Sequence, residues 1–323
     1  MKLNDKEFKK LLEDKYTFER YPSVAVAVSG GPDSMSLLFL LNKYIKNKNG
    51  RLIALIVNHK LRENSTKEAK LISVFLKKNK IKSQILSVNK NYIKKKNMME
   101  ARNNRYNLLT NFCKQQNILH LFVAHHKEDN LETFLNRKIS GSDFYGLKSM
   151  SKFSLYNNVC ILRPLLKVSK DMLVDYNKKN NIEYINDPSN INLDYTRPNI
   201  RSFLKKSNQK IIKEINKDFE STLLYSPLFI QMIFETLLKN IIHVDSKKII
   251  INLNNIKKIN EITSENLIRR IYQFFFPLSN APRSKKIRIL LIEIKKFNFN
   301  NFNLKSMIVK KNDDLLTFSR KSV

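Results

Sequence analysis

Val24-Ala25-Val26-Ala27-Val28-Ser29-Gly30-Gly31-Pro32-Asp33-Ser34 is the stretch on which the fold of this chain turns. Five small or β-branched apolar residues run into two glycines, then Pro-Asp-Ser, then the apolar run Met35, Leu37, Leu38, Phe39, Leu40 and Leu41. The pattern predicts a buried parallel strand, a tight glycine loop and the start of a buried helix. Such a loop can bind phosphate. Glycine admits backbone torsions that let successive N–H groups converge on one concavity. The following helix adds its unpaired N–H groups and the positive end of its dipole. Ser29 and Ser34 can add hydroxyl donors. The G-x-x-x-x-G-K-[ST] loop is absent.

Outward from this stretch, strand and helix alternate through about residue 140. Residues 1–21 read as an amphipathic helix carrying Phe8, Leu11 and Leu12. Leu52–Val57 is an uninterrupted apolar strand, and Ser65 with Glu68 has the spacing of a capping box opening a helix to about Lys80. Ser83–Val88 and Ile118–Ala124 read as further strands, and 98–116 and 127–139 as helices. This predicts an α/β fold: a parallel sheet flanked by helices, with ligands beyond the carboxyl ends of the strands. The loops there are 29–34, 58–65, 88–97 and 125–129. Gly141–Leu147 is a glycine loop, Val159–Leu162 a strand, Asp171–Asn180 a helix and Asp187–Asn190 a turn. From about residue 206 the pattern changes to long amphipathic stretches, notably Phe219–His243 and Ser264–Phe276, and ends in a hairpin around Asn312-Asp313-Asp314. The division expected is therefore 1–205 and a smaller, mainly helical 206–323.

The 323 residues carry 60 Lys and Arg against 28 Asp and Glu, a net charge of +32. An excess of that size points to a polyanion, most readily nucleic acid, although a bias toward Lys, Asn and Ile would raise it too. Two cysteines, Cys113 and Cys160, make no C-x-x-C and no disulfide framework, which fits a reducing cytoplasm. The charged N-terminus lacks the apolar region of a secretory signal, and no run approaches ~20 consecutive apolar residues, so no membrane span is expected.

Three constellations carry chemistry. In the glycine loop, Asp33 can hold Mg²⁺ on a triphosphate or complement the helix N-terminus. In Ala124-His125-His126-Lys127-Glu128-Asp129-Asn130-Leu131-Glu132-Thr133, two histidines and several carboxylates follow a strand end; acid–base work by one or other histidine with a carboxylate, and Mg²⁺ ligation by Asp129, suit these residue types better than a zinc site. In Glu100-Ala101-Arg102-Asn103-Asn104-Arg105-Tyr106, two arginines one turn apart share a helix face and suit phosphate.

Taken in order, these motifs resemble a family. The loop Ser29, Gly30, Gly31, Pro32, Asp33, Ser34 is similar to the SGGxDS loop of the PP-loop ATP pyrophosphatases. The series as a whole resembles the tRNA(Ile)-lysidine synthases within that superfamily. It comprises Val57–Ser65, Glu100-Ala101-Arg102 with Arg105-Tyr106, Ala124-His125-His126 with Asp129, Glu132 and Thr133, Gly141-Ser142 with Gly146-Leu147, Arg163-Pro164-Leu165-Leu166, and Asp187-Pro188-Ser189-Asn190 with Arg197 and Arg201. The resemblance covers roughly residues 20–205. There are departures. Glu128 stands where the family has the first Asp of a pair, Asp143 replaces a glycine, and Pro198 replaces an asparagine.

The resemblance implies an enzyme that uses ATP and Mg²⁺ to adenylate the C2 oxygen of the wobble cytidine in a tRNA(Ile) with a CAU anticodon. Free L-lysine then displaces AMP. It further implies a cytoplasmic monomer or homodimer. Asp33, Asp129 and His126 would be catalytic, with Asp33 and Asp129 as magnesium ligands. Residues 29–34 would bind ATP, and Arg102, Arg105, Arg163, Arg197 and Arg201 would meet ATP or tRNA phosphates. The segment 206–323 would help bind tRNA. The rival within the superfamily is a tRNA 2-thiolation enzyme, which would need a cysteine pair or one well-placed nucleophilic cysteine.

Overall fold

Apolar runs of period two and helical segments of period 3.6 sort this chain into two structural units. The computed structural model describes residues 3–58, 65–88, 98–142, 144–185, 196–277, 279, 281–296 and 298–321. In chain order the elements are α1 (Asp5–Glu13), β1 (Ser23–Val28), α2 (Pro32–Asn47), β2 (Arg51–Asn58), α3 (Ser65–Lys78), β3 (Ser83–Ser87), α4 (Met98–Gln115), β4 (His120–Phe122), α5 (Lys127–Ile139), α6 (Phe144–Leu147), β5 (Phe153–Tyr156), β6 (Val159–Leu162), α7 (Lys170–Lys179) and α8 (Thr196–Lys206). They continue with α9 (Gln209–Asn240), β7 (Ile241–Val244), β8 (Lys248–Asn252), α10 (Leu253–Lys258), α11 (Glu261–Phe275), α12 (Ser284–Glu293), β9 (Asn301–Leu304), β10 (Met307–Asn312) and β11 (Leu315–Arg320). The first unit holds residues 1–137 and 149–212, and the second holds 138–148 and 213–323. The excursion of 138–148 into the second unit has no signature in the sequence.

The first unit is a six-stranded sheet of order β3-β2-β1-β4-β6-β5, parallel except for β5, which pairs antiparallel with β6. Alternation along β1 divides its side chains between two cores. Val24, Val26 and Val28 pack with α2, α3 and α7 through Leu37, Leu41, Ile72, Leu76 and Leu173. Ala25 faces the other way, toward Leu109 and Cys113 of α4. Both faces are thus covered, as expected of a parallel sheet. Each Val or Leu buried this fully is worth about 1.5–3 kcal/mol, so the β1–α2 pair is held firmly under the loop that joins them. Strand order reverses between β1 and β4. Chains leaving these neighbours go to opposite sides, and the crevice between them is where an open α/β sheet binds ligands.

In the second unit the helices hold most of the regular structure. They pack on a five-stranded antiparallel sheet of order β7-β8-β11-β10-β9. Its core joins Ile233 and Leu237 of α9 to Ile249 and Ile251 of β8, Leu267 and Ile271 of α11, Leu290 of α12 and Phe318 of β11. The β10–β11 hairpin pairs Asn312 with Leu315 across the expected turn. The sheet around it was not legible. Although no apolar run reaches the length sought in the sequence, α9 contains an 18-residue window of mean hydropathy 1.3 and is long and apolar enough to cross a membrane. A single such helix is weak grounds for a span, and α9 contributes Ile233 and Leu237 to the core just described.

Candidate active site

The glycine loop forms as a left-handed turn followed by a helix start. Gly30 has φ +83°, and a Cβ there would lie 2.5 Å from Ile72 Cδ1, so both torsion and packing demand glycine. Gly31 is the N-cap of α2 and Pro32 opens the helix, where its missing N–H costs nothing. Ser29 N–H donates to Ser34 Oγ (3.2 Å), and the Ser34 hydroxyl donates to the Gly31 carbonyl (3.0 Å). Two further contacts fix the loop from behind. Ile185 N–H donates to the Gly30 carbonyl (2.9 Å), and Asn177 Nδ2 donates to the Pro32 carbonyl (2.8 Å). Asn177 is fully buried and also accepts from the Ser36 hydroxyl at 2.8 Å. With its carbonyls held elsewhere, the loop can present N–H groups to an anion.

Beside it, the chain leaving β4 brings in His126, Glu128, Asp129 and Glu132. Lys127 N–H donates to the Val168 carbonyl (2.9 Å), which ties the start of α5 to the turn before α7. His126 is almost wholly buried among carboxylates. Its Nδ1 lies 2.9 Å from Glu128 Oε2, and its Nε2 lies 3.4 Å from Asp129 Oδ2 and 3.6 Å from Asp33 Oδ2. Burial works against charge on this ring. The Glu128 hydrogen bond and the negative charges of Asp129 and Asp33 outweigh it and raise the pKa above the usual 6.5. Asp33 is pushed upward by burial, partly offset by His126. For Glu128, burial is outweighed by the bond to His126, and its pKa falls. Glu128 Oε2 also accepts from Lys170 N–H at 3.0 Å, at the first residue of α7. The longer side chain at this position therefore has a definite role: it joins the imidazole to a helix N-terminus.

The structure brings Asp33, His126 and Asp129 together. It adds Arg201, whose Nε donates to Glu132 Oε1 at 2.5 Å and whose guanidinium lies 3.4 Å from Asp129 Oδ1. Burial lowers the pKa of Arg201, and its bond with Glu132 more than restores it. The sequence pattern assigns Glu132 no role. It is a buried carboxylate separated from Arg201 by 69 residues, and only the fold joins them.

Arg102 and Arg105 both lie over the Tyr106 ring, at 5.1 and 5.4 Å from its centroid. Arg137, which sequence reasoning missed, joins them electrostatically: burial and the charge of Arg102 lower its pKa. Such a group of like charges favours an anion between them. Arg163 is different. It is 7% exposed, and its Nη1 donates to the Ser151 carbonyl (3.1 Å) and Ser154 Oγ (3.0 Å), clamping β5. That is the geometry of a structural clamp rather than of a phosphate contact. The side chain of Arg197, the turn 187–190, most of loop 58–65 and the Lys-rich loop 90–97 lie outside the described residues.

The carboxylates fit a hard divalent cation. Asp33 Oδ1 is buried and has no hydrogen-bond partner among the described residues, and Asp129 lies against the same His126 nitrogen as Asp33 does. Among the described residues no group of three or more ligating side chains forms a cage. Mg²⁺ needs none, because it is commonly held by one or two carboxylates together with substrate phosphates.

The tRNA(Ile)-lysidine synthase of Wolbachia pipientis wMel is 45% identical over 194 residues, covering 59% of this chain and 45% of that protein. That of Orientia tsutsugamushi (strain Boryong) is 39% identical over 188 residues, 58% and 42% respectively. That of Mesoplasma florum is 37% identical over 206 residues, 61% and 50%. The matches thus span about half the length of these relatives or less. Among solved structures, the U34-tRNA thiolase NcsA from Methanococcus maripaludis, solved with its [4Fe-4S] cluster, superposes with a TM-score of 0.55 at 23% identity. It covers 68% of this chain and 80% of that one, a likeness of fold. A profile of the PP-loop domain matches residues 2–208. On this match the chain belongs to the PP-loop domain family, and its similarity within that family is to the tRNA(Ile)-lysidine synthases.

Proposed function

We propose that this chain is a tRNA(Ile)-lysidine synthase, a ligase that uses ATP to join free lysine to C2 of the wobble cytidine in CAU-anticodon tRNA(Ile). The carrying observation is the juxtaposition of the Gly30–Gly31 loop, the Asp33/Asp129 carboxylates and the buried His126 where strand order reverses. In the first step the cytidine C2 oxygen attacks the α-phosphorus of ATP and the bond to diphosphate breaks. In the second the lysine ε-amine attacks C2, the C2–oxygen bond breaks and AMP leaves. The chemistry suits the residues. Negative charge gathers on phosphate oxygens in the first step, and fixed N–H donors of residues 29–34 stabilise it without reorganisation.

Asp33 and Asp129 would hold Mg²⁺, which supplies charge neutralisation on the triphosphate. Arg102, Arg105 and Arg137 offer forks for ATP or tRNA phosphates. The lysine ammonium must lose a proton before it attacks C2, and His126 or one of the carboxylates around it would take that proton. The target base must leave the anticodon stack to reach such a crevice, and the +32 charge suits the tRNA backbone. Thiolation is disfavoured by the cysteines. Cys113 is fully buried in α4 with its thiol pushed up to about 12 by burial, and Cys160 lies within β6.

The test is Asp33→Asn. AMP release in the presence of tRNA should fall by about 10²-fold or more, while tRNA retention on a filter stays near that of the unaltered protein. Turnover unchanged by the substitution would remove Asp33 from the mechanism.

A further inference from the structure

Within the second unit, residues 138–148 return with α9, α11 and the turn before α12 to line a cavity of about 590 Å³. Four cations line it, Arg269, Arg270, Arg283 and Lys285, and the described lining residues include no carboxylate. In a chain dominated by lysine the choice of arginine is informative. The second unit has five arginines, at 269, 270, 283, 288 and 320, and three of them meet here.

One of the four builds the wall. Arg269 donates to the Pro282 carbonyl (3.0 Å), to Ser284 Oγ (2.6 Å) and to Glu265 Oε1 (2.7 Å), which pins the turn 282–284 against α11. Arg283 on that pinned turn and Lys285 in the first turn of α12 are exposed. The opposite wall is Ser140, Gly141, Ser142 and Gly146, the glycine motif that the PP-loop site does not use. Gly141 has φ +67°, and a Cβ there would meet nothing within 4 Å. Its torsion calls for glycine, and the space before it is open to a ligand.

We propose that this cavity is a phosphate-binding trough for the sugar–phosphate backbone of the RNA substrate, separate from the PP-loop site. Arginine forks match phosphate oxygens in two-point fashion. Serine hydroxyls and the backbone of an open glycine loop are the other usual phosphate partners. The inference rests on the reading that the substrate is a tRNA. It adds where on the second unit the backbone is held.

The experiment compares the unaltered protein, Arg283→Ala/Lys285→Ala and Lys257→Ala/Lys258→Ala. The last pair removes the same charge from α10, outside the cavity. Binding of tRNA is measured by fluorescence anisotropy across a salt series. A fluorescent ATP analogue reports the PP-loop site, and far-UV circular dichroism reports folding. The cavity variant should lose about two from the slope of log affinity against log salt, with ATP binding unchanged. The α10 variant should lose less than half of that. Equal losses from both pairs, or an unchanged slope in the cavity variant, would overturn the proposal while leaving the tRNA reading intact. Inorganic phosphate or diphosphate bound at the cavity by calorimetry, with the tRNA slope unaltered, would assign it to a small anion and also overturn it. A flat salt response of the unaltered protein would count against the tRNA reading itself.

Discussion

Gly30→Ala tests the phosphate loop through two separable costs. The residue sits at φ +83°, where an L side chain is disfavoured by roughly 1–2 kcal/mol. Its new methyl would also stand 2.5 Å from Ile72 Cδ1 and 3.0 Å from Cγ1, and forcing an extra carbon into a packed core costs typically about 1–3 kcal/mol. The expected total is about 2–5 kcal/mol. Ile72→Val removes the atom in closest conflict, at a cost of its own of roughly 0.5–1.5 kcal/mol. The double variant should therefore be more stable than the sum of the singles by about 1–2 kcal/mol, because the alanine methyl fills the space Cδ1 leaves.

The torsional cost remains, so ATP affinity should stay low in the double variant even as stability recovers. Hydrogen exchange at Ala25 and Val26 is the assay. These residues pair with β2 on one side and β4 on the other, so their amides open only with the first unit as a whole. Costs that add within about 0.5 kcal/mol, or a single-variant cost below about 1 kcal/mol, would refute the packing argument.

Two further outcomes are expected. Asn177→Ala should destabilise the first unit by roughly 1–3 kcal/mol, since it removes one partner each from the Pro32 carbonyl and the buried Ser36 hydroxyl, which keep each other and the Leu173 carbonyl. Urea unfolding followed by tyrosine fluorescence measures it, and a cost under about 1 kcal/mol would show that the loop needs no support from α7. In the second unit, Glu265 is opposed by burial, but Ser284, Arg269 and Arg288 hold its pKa below the usual 4.5. A depressed carboxylate contributes stability that is present above its unfolded pKa and is lost as pH falls through the folded one. The urea midpoint of this unit should drop in that acid window. Glu265→Gln should flatten the drop, and an equally steep drop in the variant would assign the acid sensitivity elsewhere.

What could be read in the sequence followed from burial. β1 and β2 are covered on both faces, so they appear as unbroken apolar runs, and the loops at their carboxyl ends mark the site directly. Edge and antiparallel strands leave weaker traces. Phe153–Tyr156 alternates between exposed and half-buried positions and looks like loop. Ile241–Val244 follows α9 without a break and reads as its last turn, although its β-branched residues ahead of Asp245-Ser246 were a usable signal. Asp33, His126 and Asp129 were legible because each follows a strand end. The Arg201–Glu132 pair and the clamp by Arg163 were not, because each depends on contacts that only the folded chain creates.

In the proposed reaction, ATP-dependent adenylation at this site leads to lysine transfer onto one tRNA. The most direct measurement incubates the protein with ATP, Mg²⁺ and radiolabelled lysine, together with either CAU-anticodon isoleucine tRNA or elongator methionine tRNA. Label is expected on the isoleucine tRNA alone, with AMP and diphosphate formed in equal amount. Label on neither tRNA despite ATP cleavage, or label that does not require ATP, would contradict it.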